Sequence, residues 1–305
     1  MNLFRIHIKP DSDPKFSFDY CKRNKVLGMG WSVDHTGKSN LSWEEYIGMA
    51  ERKYGRKEMM VVRYTKNNVK ENDLVFTRDE NGVYYLGRVT SPWEYLGNNE
   101  SIKADMVNFF RLENLYPLSP DEVPGKVVAC FRPSRTIQAI RNSRVINYSK
   151  LLWNKYTKSQ RYPLDKNLRL NIFDCLDDKL TEDIVTVYLQ TKGWLFVPGS
   201  RKKYTMKIEY FLINKESGEL AVVQVKSGNT HLNRDEWSNN ASKLQAKAIL
   251  FQANGNYQGN NHQNVECIDP QKIMDFIDRE QSIFPKEITH WNDYVNKKTK
   301  PCGAQ

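Results

Sequence analysis

Four residues in the second half of the 305-residue chain have types and spacing suited to phosphodiester hydrolysis: Glu182, Glu209, Gln224 and Lys226. Along Leu220-Ala221-Val222-Val223-Gln224-Val225-Lys226 the side chains alternate between faces, so Gln224 and Lys226 share one. Ser217-Gly218 is a turn signal, and a hairpin about it sets Glu209 beside Gln224 on the neighbouring strand. Glu182 falls in a stripe with Val185 and Leu189 at helical spacing, so its carboxylate faces a core and needs a partner there. A hard divalent cation, Mg²⁺ or Mn²⁺, takes oxygen ligands, which Glu209, Glu182 and the amide oxygen of Gln224 offer. Such a cation acidifies a bound water and neutralises phosphate charge, while Lys226 orients the water or stabilises the developing oxyanion. Arg201-Lys202-Lys203, just upstream, would steer a phosphate in. The plain alternative is a β-hairpin with a polar edge. Gln-Val-Lys alone would not tell the two apart, but all four residues in this order and spacing favour the site.

The elements that must hold these residues read as alternating helix and strand. A helix spans about Leu180 to Lys192 and stops at Gly193. Strands follow near Trp194–Val197, Lys207–Ile213 and Glu219–Lys226. A helix is expected over Arg234–Gln245, strands over Lys247–Gln252 and Val265–Ile268, and a helix opened by Asp269-Pro270. The tail after Phe284 is polar, with a frayed end expected.

The first half is β-rich. Strands are expected at Leu3–Ile8, Met59–Tyr64 and Asp73–Thr77, with Val83–Val89 returning across Asn81-Gly82. One helix, Ser42 to Tyr54, opens on a capping box of Ser42 and Glu45. Short strands around one helix suggest a small barrel. A helical stretch, about Ser134 to Lys158, then leads to a polar segment, and the organisation expected is a domain over 1–140, a basic helical linker over 141–170 and a second domain over 171–305.

Composition sets the frame. The chain is 39% hydrophobic and 27% charged, with a net charge of +10. That charge is uneven: residues 141–170 hold eight basic residues against Asp165 alone, while 171–305 balance to zero. A basic bridge suits a phosphate backbone, with Arg141, Arg144, Lys150 and Lys155 as contacts; a solvated linker is the alternative. Cys21, Cys130, Cys175, Cys267 and Cys302 lie far apart, without zinc spacing, which argues against zinc or Cys-His chemistry. No apolar run reaches 18 residues and the N-terminus is not a signal peptide, so a cytoplasmic protein without a membrane span is expected.

An acid, about fifteen residues, then Gln-x-Lys on the next strand resembles the PD-(D/E)xK nucleases, and the Gln-x-Lys form is similar to the Mrr-like restriction endonucleases. A helical Glu about eleven residues before a Gly-aromatic step belongs to that pattern, and Glu182 with Gly193-Trp194 matches it. The resemblance covers roughly residues 172–280. It implies an α/β restriction-endonuclease-like domain with a mixed central sheet, with helix acid Glu182, metal acid Glu209, second ligand Gln224 and catalytic lysine Lys226. Glu209 stands where the family usually has Asp, and the glycines often found before that acid are replaced by Lys203-Tyr204-Thr205-Met206-Lys207.

Gly30-Trp31-Ser32, the following helix, Glu71-Asn72-Asp73-Leu74-Val75 and Tyr85-Leu86-Gly87-Arg88-Val89 look like an EVE or PUA-like barrel over about residues 1–115. Such a domain would read bases in RNA or modified bases in DNA, with Trp31, Ser32, Asp34, Tyr85 and Trp93 as candidate contacts. Together the two resemblances imply a modification-dependent DNA endonuclease acting on double-stranded DNA, in restriction or phage defence. One site per chain would favour a homodimer. An RNA or single-stranded DNA nuclease, or a binding protein with an inactive site, remain the alternatives.

Overall fold

Alternation along the first strand divides Phe4 and Ile6, which enter one apolar core, from Arg5 on the opposite face. The computed structural model describes residues 1–299 except 12, 35–37, 166, 168–170, 201–207 and 229. It divides into two units, Met1–Leu168 and Arg169–Gln305.

In the first unit the elements are β1 (Leu3–Ile6), α1 (Pro14–Asn24), β2 (Val26–Met29), α2 (Trp43–Tyr54), α3 (Met60–Asn68), β3 (Leu74–Arg78), β4 (Tyr84–Val89), β5 (Glu94–Tyr95), α4 (Asn99–Lys103), β6 (Asn108–Pro117), α5 (Gly125–Cys130), β7 (Ile137–Ala139) and α6 (Ser143–Thr157). The main sheet runs β2-β6-β4-β3-β1-β7, with β5 also on β6. β1 lies parallel to β3, Leu3 opposite Leu74, and the other pairs are antiparallel. That path is open among the described residues, so the pairing does not show the closed barrel expected from the sequence. The expected capping box is present: Ser42 Oγ accepts the Glu45 N–H at 3.3 Å and Glu45 Oε2 accepts the Ser42 N–H at 2.8 Å.

Two expectations fail here. The stretch read as a strand at Met59–Tyr64 is the start of helix α3, because Met59, Val62, Thr65 and Val69 are all buried and their spacing of three and four is helical. The helix expected from Ser134 begins only after Asn142, whose side chain caps the Val145 N–H at 3.0 Å. Before it, Ile137–Ala139 adds a strand to β1, with Phe4 opposite Ala139. Helix α6, in the stretch expected to link the domains, packs on elements of the first unit. Val145, Tyr148, Leu152 and Trp153 are buried, and Trp153 meets Tyr116 edge to face at 5.3 Å. A tryptophan removes roughly 200 Å² from water, an upper bound near 5 kcal/mol, which a solvated segment would not gain.

The second unit comprises α7 (Ile172–Cys175), α8 (Asp178–Gln190), β8 (Trp194–Phe196), β9 (Tyr210–Asn214), β10 (Leu220–Lys226), β11 (Leu232–Asn233), α9 (Arg234–Lys243), β12 (Lys247–Gln252), β13 (Tyr257–Gln258), β14 (Val265–Ile268), α10 (Pro270–Arg279) and α11 (Lys286–Thr299). Its sheet is mixed, in the order β14-β12-β10-β9-β8. β8, β9 and β10 form an antiparallel meander, and β10, β12 and β14 are parallel. Ala221 to Val225 are buried without a break, as a central strand covered on both faces requires. The polar tail is helix α11, with Trp291 and Ile288 buried and Asn292 donating to Asp278 Oδ1 at 2.6 Å. Among the described residues no helix is long and apolar enough to cross a membrane.

Candidate active site and nucleic-acid interface

The hairpin of β9 and β10 builds the centre of the second unit's site. Gly218, at φ +70°, takes the left-handed turn that a side chain would resist. Val223 then faces Tyr210, and the Glu209 N–H donates to the Val223 carbonyl at 3.0 Å, carrying the pairing one residue further. Glu209 is therefore buried beside Gln224, whose Nε2 donates to Glu209 Oε1 at 2.7 Å. The Lys226 ammonium lies 3.5 Å from that same oxygen. The spacing expected from strand alternation is thus present as a contact between Glu209, Gln224 and Lys226. Gln224 spends its amide N–H on the carboxylate, which turns its other polar atom, the carbonyl oxygen, into the available acceptor.

Glu182 lies half-buried on α8, in line with buried Val185 and Leu189. One turn earlier, Asp178 accepts a hydrogen bond from Ser227, the residue after Lys226. The first turn of α8 therefore reaches the end of β10 through Asp178. The sequence reading passed Asp178 over, although it stands four residues before Glu182 and so shares its face. Gln252 was also missed. Buried at the end of β12, it donates to the Gly228 carbonyl at 2.6 Å and accepts the N–H groups of Asn254 and Asn256, both at 2.8 Å. The Ala253 N–H donates to the Lys226 carbonyl at 2.9 Å. These bonds tie together the loops at the carboxyl ends of two parallel strands, where α/β sheets place their ligands. Among the described residues, no three His, Cys, Asp or Glu side chains gather as a metal cluster. Arg201, Lys202 and Lys203 lie outside the described residues.

In the first unit, Trp31 has φ +69°, a left-handed conformation costing a bulky residue roughly 1–3 kcal/mol. Its surroundings force it. Asn108 Nδ2 donates to the Gly30 carbonyl at 2.5 Å, Tyr46 OH to the Trp31 carbonyl at 3.0 Å, and Tyr54 OH to the Ser32 carbonyl at 2.5 Å. Tyr95 OH accepts the Val33 N–H at 3.1 Å. Four side chains thus hold one short loop. Burial pushes the Tyr46 and Tyr95 phenols above their usual range, so they stay protonated as donors or neutral acceptors.

Trp31 and Ser32 line a cavity of about 360 Å³ with Lys9, Asp11, Tyr54, Asp105 and Thr136. Gly28, Met29 and Gly30 form part of its wall. A Cβ on Gly30 would overlap the Asp105 carboxylate, and one on Gly28 the Asn108 carbonyl. Burial raises the Asp105 carboxyl above its ordinary value; the Asp11 N–H, donating to Oδ2 at 3.1 Å, works the other way.

The other candidate contacts fall elsewhere. Tyr85 is buried against Phe18 at 4.8 Å and donates to Asp79, so it is core. Trp93 is half-buried, edge-on to Trp43 at 4.9 Å, and donates to Asn108 Oδ1 at 3.2 Å, supporting the loop without lining the cavity. The Asp34 side chain is 95% exposed beside Lys53, also outside the cavity lining. On and before α6, Arg141 is exposed, and Arg144 and Lys150 are half-buried. Lys155 is committed to Glu122 at 2.6 Å, and Tyr156 donates to the same carboxylate at 2.6 Å. Burial alone would raise Glu122; these two bonds outweigh it and hold the carboxyl below its usual range.

No protein-family model matches the chain, and no curated protein matches it. It is similar, at 9% identity and a TM-score of 0.25, to the solved structure titled DNA modification-dependent restriction endonuclease AspBHI, over 97% of this chain and 85% of that one. A likeness at that level carries no argument, and the functional reading rests on the residues.

The missed features share a signal. Asn108 stands in an apolar run, Met106-Val107-Asn108-Phe109-Phe110, and the phenols of Tyr46 and Tyr95 are buried, so each of these polar groups needed a partner. Their partner is one loop, distant in sequence from most of them.

Proposed function

We propose that the protein is a divalent-metal-dependent DNA endonuclease whose first unit reads a modified base and whose second unit hydrolyses the backbone. The observation that carries the hydrolytic half is the contact of buried Glu209 with Gln224 Nε2 and Lys226 Nζ at the end of a central strand. Burial of a carboxylate needs a reason beyond stability, because an apolar residue there would cost nothing to desolvate.

The donor set fits a hard cation. Glu209 supplies carboxylate oxygen and Gln224 amide oxygen, with the Asp178 carboxylate joined to the end of β10 through Ser227; Mg²⁺ needs only one or two carboxylates because it keeps several waters. When bound, the ion would acidify a water and neutralise phosphate charge. Lys226, whose side chain is 36% exposed, can turn its ammonium from Glu209 to a non-bridging phosphate oxygen. Gln224 keeps Glu209 oriented while the lysine moves.

For the reading half, support comes from the Trp31 loop. A strained aromatic held by four side chains at a cavity is a pre-organised stacking surface, and an extracted base needs one to offset the few kcal/mol of unstacking. An EVE or PUA-like ancestry, a role in defence and action as a homodimer belong to this proposal too.

A second reading, a nucleic-acid-binding protein without hydrolysis, draws on one observation: Gln224 and Lys226 both contact the same oxygen of Glu209, so the carboxylate is neutralised internally. Incubation with Mg²⁺ and matched modified and unmodified duplexes decides. Metal-dependent cuts that Lys226→Ala abolishes support the nuclease. Tight binding with no cleavage in Mg²⁺ or Mn²⁺ overturns it in favour of the second reading.

A further inference from the structure

A second cavity of the first unit, about 620 Å³, opens where β1 ends against the tip of the β3–β4 hairpin. His7, Lys9 and Arg78 line it, together with Asp79, Glu80 and the backbone of Asn81-Gly82. Arg5, His7 and Lys9 alternate along one run of extended chain and so share a face, opposite Phe4, Ile6 and Ile8 in the core. Arg5 is fully buried and spent on the carbonyls of Cys130 and Arg135. The three groups beyond it are not spent. Arg78 lies over the rings of Tyr84 and Phe131, at 5.8 and 5.4 Å, and forms no ion pair among the described residues. His7 has a buried Nδ1 without a hydrogen-bond partner among the described residues. Lys9 gives one proton of three to the Ser134 carbonyl at 2.7 Å.

The acidic wall does not cancel this set. Asp79 Oδ1 accepts the N–H groups of Asn81 and Val83 at 3.0 and 2.8 Å, and its Oδ2 accepts from Tyr85, so its charge is taken up by the turn. Glu80 is exposed and accepts from the Asn81 side chain at 3.3 Å. Lys9 lines both this cavity and the one beside Trp31. Two cavities joined by one ammonium match a nucleotide, with base on one side and phosphate on the other.

We propose that the cavity between the end of β1 and the β3–β4 hairpin binds a backbone phosphodiester of the DNA whose base enters beside Trp31, with His7, Lys9 and Arg78 as its donors. The proposal rests on the base-reading role of the Trp31 cavity. Burial, then the charges of Lys9, Arg78 and Arg5, push the His7 imidazole down to about 4, so His7 is neutral in the free protein. An anion seated among these groups offsets the three cations, and His7 takes up a proton more readily once the phosphate is bound. Asp79 and Glu80 face the same space but are unchanged by binding, so they do not supply this shift.

The test uses the full chain in chelator, to prevent cleavage, with ¹³C-labelled histidine assigned by His7→Gln. The His7 resonance is titrated with pH alone, with inorganic phosphate and with a modified duplex. A rise of about a unit or more in its midpoint with duplex supports the proposal. Arg78→Gln and, separately, Lys9→Gln should each weaken binding and reduce the slope of log affinity against log salt by about one. Duplex that binds in a Trp31-dependent way, with the His7 midpoint and both salt slopes unchanged, overturns the phosphate site and leaves the base-reading role standing. Loss of Trp31 dependence alone overturns the base-reading role, and with it the assignment of this phosphate to a flanking nucleotide. A shift with inorganic phosphate and none with duplex overturns the nucleic-acid assignment.

Discussion

Lys226→Met removes the ammonium beside Glu209 and keeps the apolar stem. At 3.5 Å and an effective dielectric near 20, the pair's Coulomb energy is roughly 5 kcal/mol. Desolvation of Glu209 and screening at the partly exposed lysine leave a net contribution of about 1–2 kcal/mol. Gln224 still donates to the carboxylate, so the loss should not exceed that range. Hydrogen exchange of the β9–β10 amides, followed in chelator at pH 7, reads the local free energy directly. Lys226→Met should open more easily by about 1–2 kcal/mol, and adding Glu209→Gln, which removes the charge needing compensation, should recover most of it. Mg²⁺ should slow exchange more in Lys226→Met than in the parent, since a cation then has no ammonium to compete with. A double variant no better protected than Lys226→Met would refute the view that the lysine neutralises a buried carboxylate in the resting protein.

Other outcomes follow from the same geometry. Trp31→Gly relieves the positive φ while losing ring contacts, so thermal unfolding should show a cost below the ~3–5 kcal/mol usual for deleting a tryptophan, with selection among bases lost in a binding assay. His7 has a folded value near 4 against an unfolded 6.5, so the unfolded state binds more protons between them; stability present above pH 6.5 should fall by ~1–2 kcal/mol as pH drops towards 4, and denaturant melts of His7→Gln should lack that component. Neutralising Arg141, Arg144 and Lys150 should flatten the salt dependence of DNA binding, whereas Lys155→Ala should leave the slope nearly unchanged and lower the melting temperature through Glu122. Ser42→Ala should cost about 1 kcal/mol by calorimetry, from loss of the α2 cap.

The β9–β10 site was legible because its information is local. Period-two alternation and a turn glycine set which residues meet, and Glu209 met Gln224 as the spacing required. α1 carried an equally local signal, Asp13 capping the Lys15 N–H with Pro14 at the first position, but was not recognised. α3 misled because β-branched Val61 and Val62 favour strands, while the tertiary environment used the three- and four-residue spacing. The aromatic contacts were only partly legible. An aromatic type says nothing about whether its ring is core, as for Tyr85, or beside a cavity, as for Trp31. That difference arises from Asn108 and Tyr95, more than sixty residues along the chain from the loop they hold.

The wall that Gly28 and Gly30 give the Trp31 cavity is main chain: a Cβ at Gly28 would meet the Asn108 carbonyl, a backbone atom, and one at Gly30 would have to displace the Asp105 carboxylate. Mutation ordinarily retunes a pocket by exchanging side chains, and here that route is closed over part of the surface. A relative that keeps this packing would keep the peptide wall and vary at lining side chains such as Ser32 and Thr136. New preferences would then arise as small steps in what surrounds a base, while the depth to which it enters stays constant. On the base-reading proposal, such a pocket would change what it prefers while holding a base at one depth.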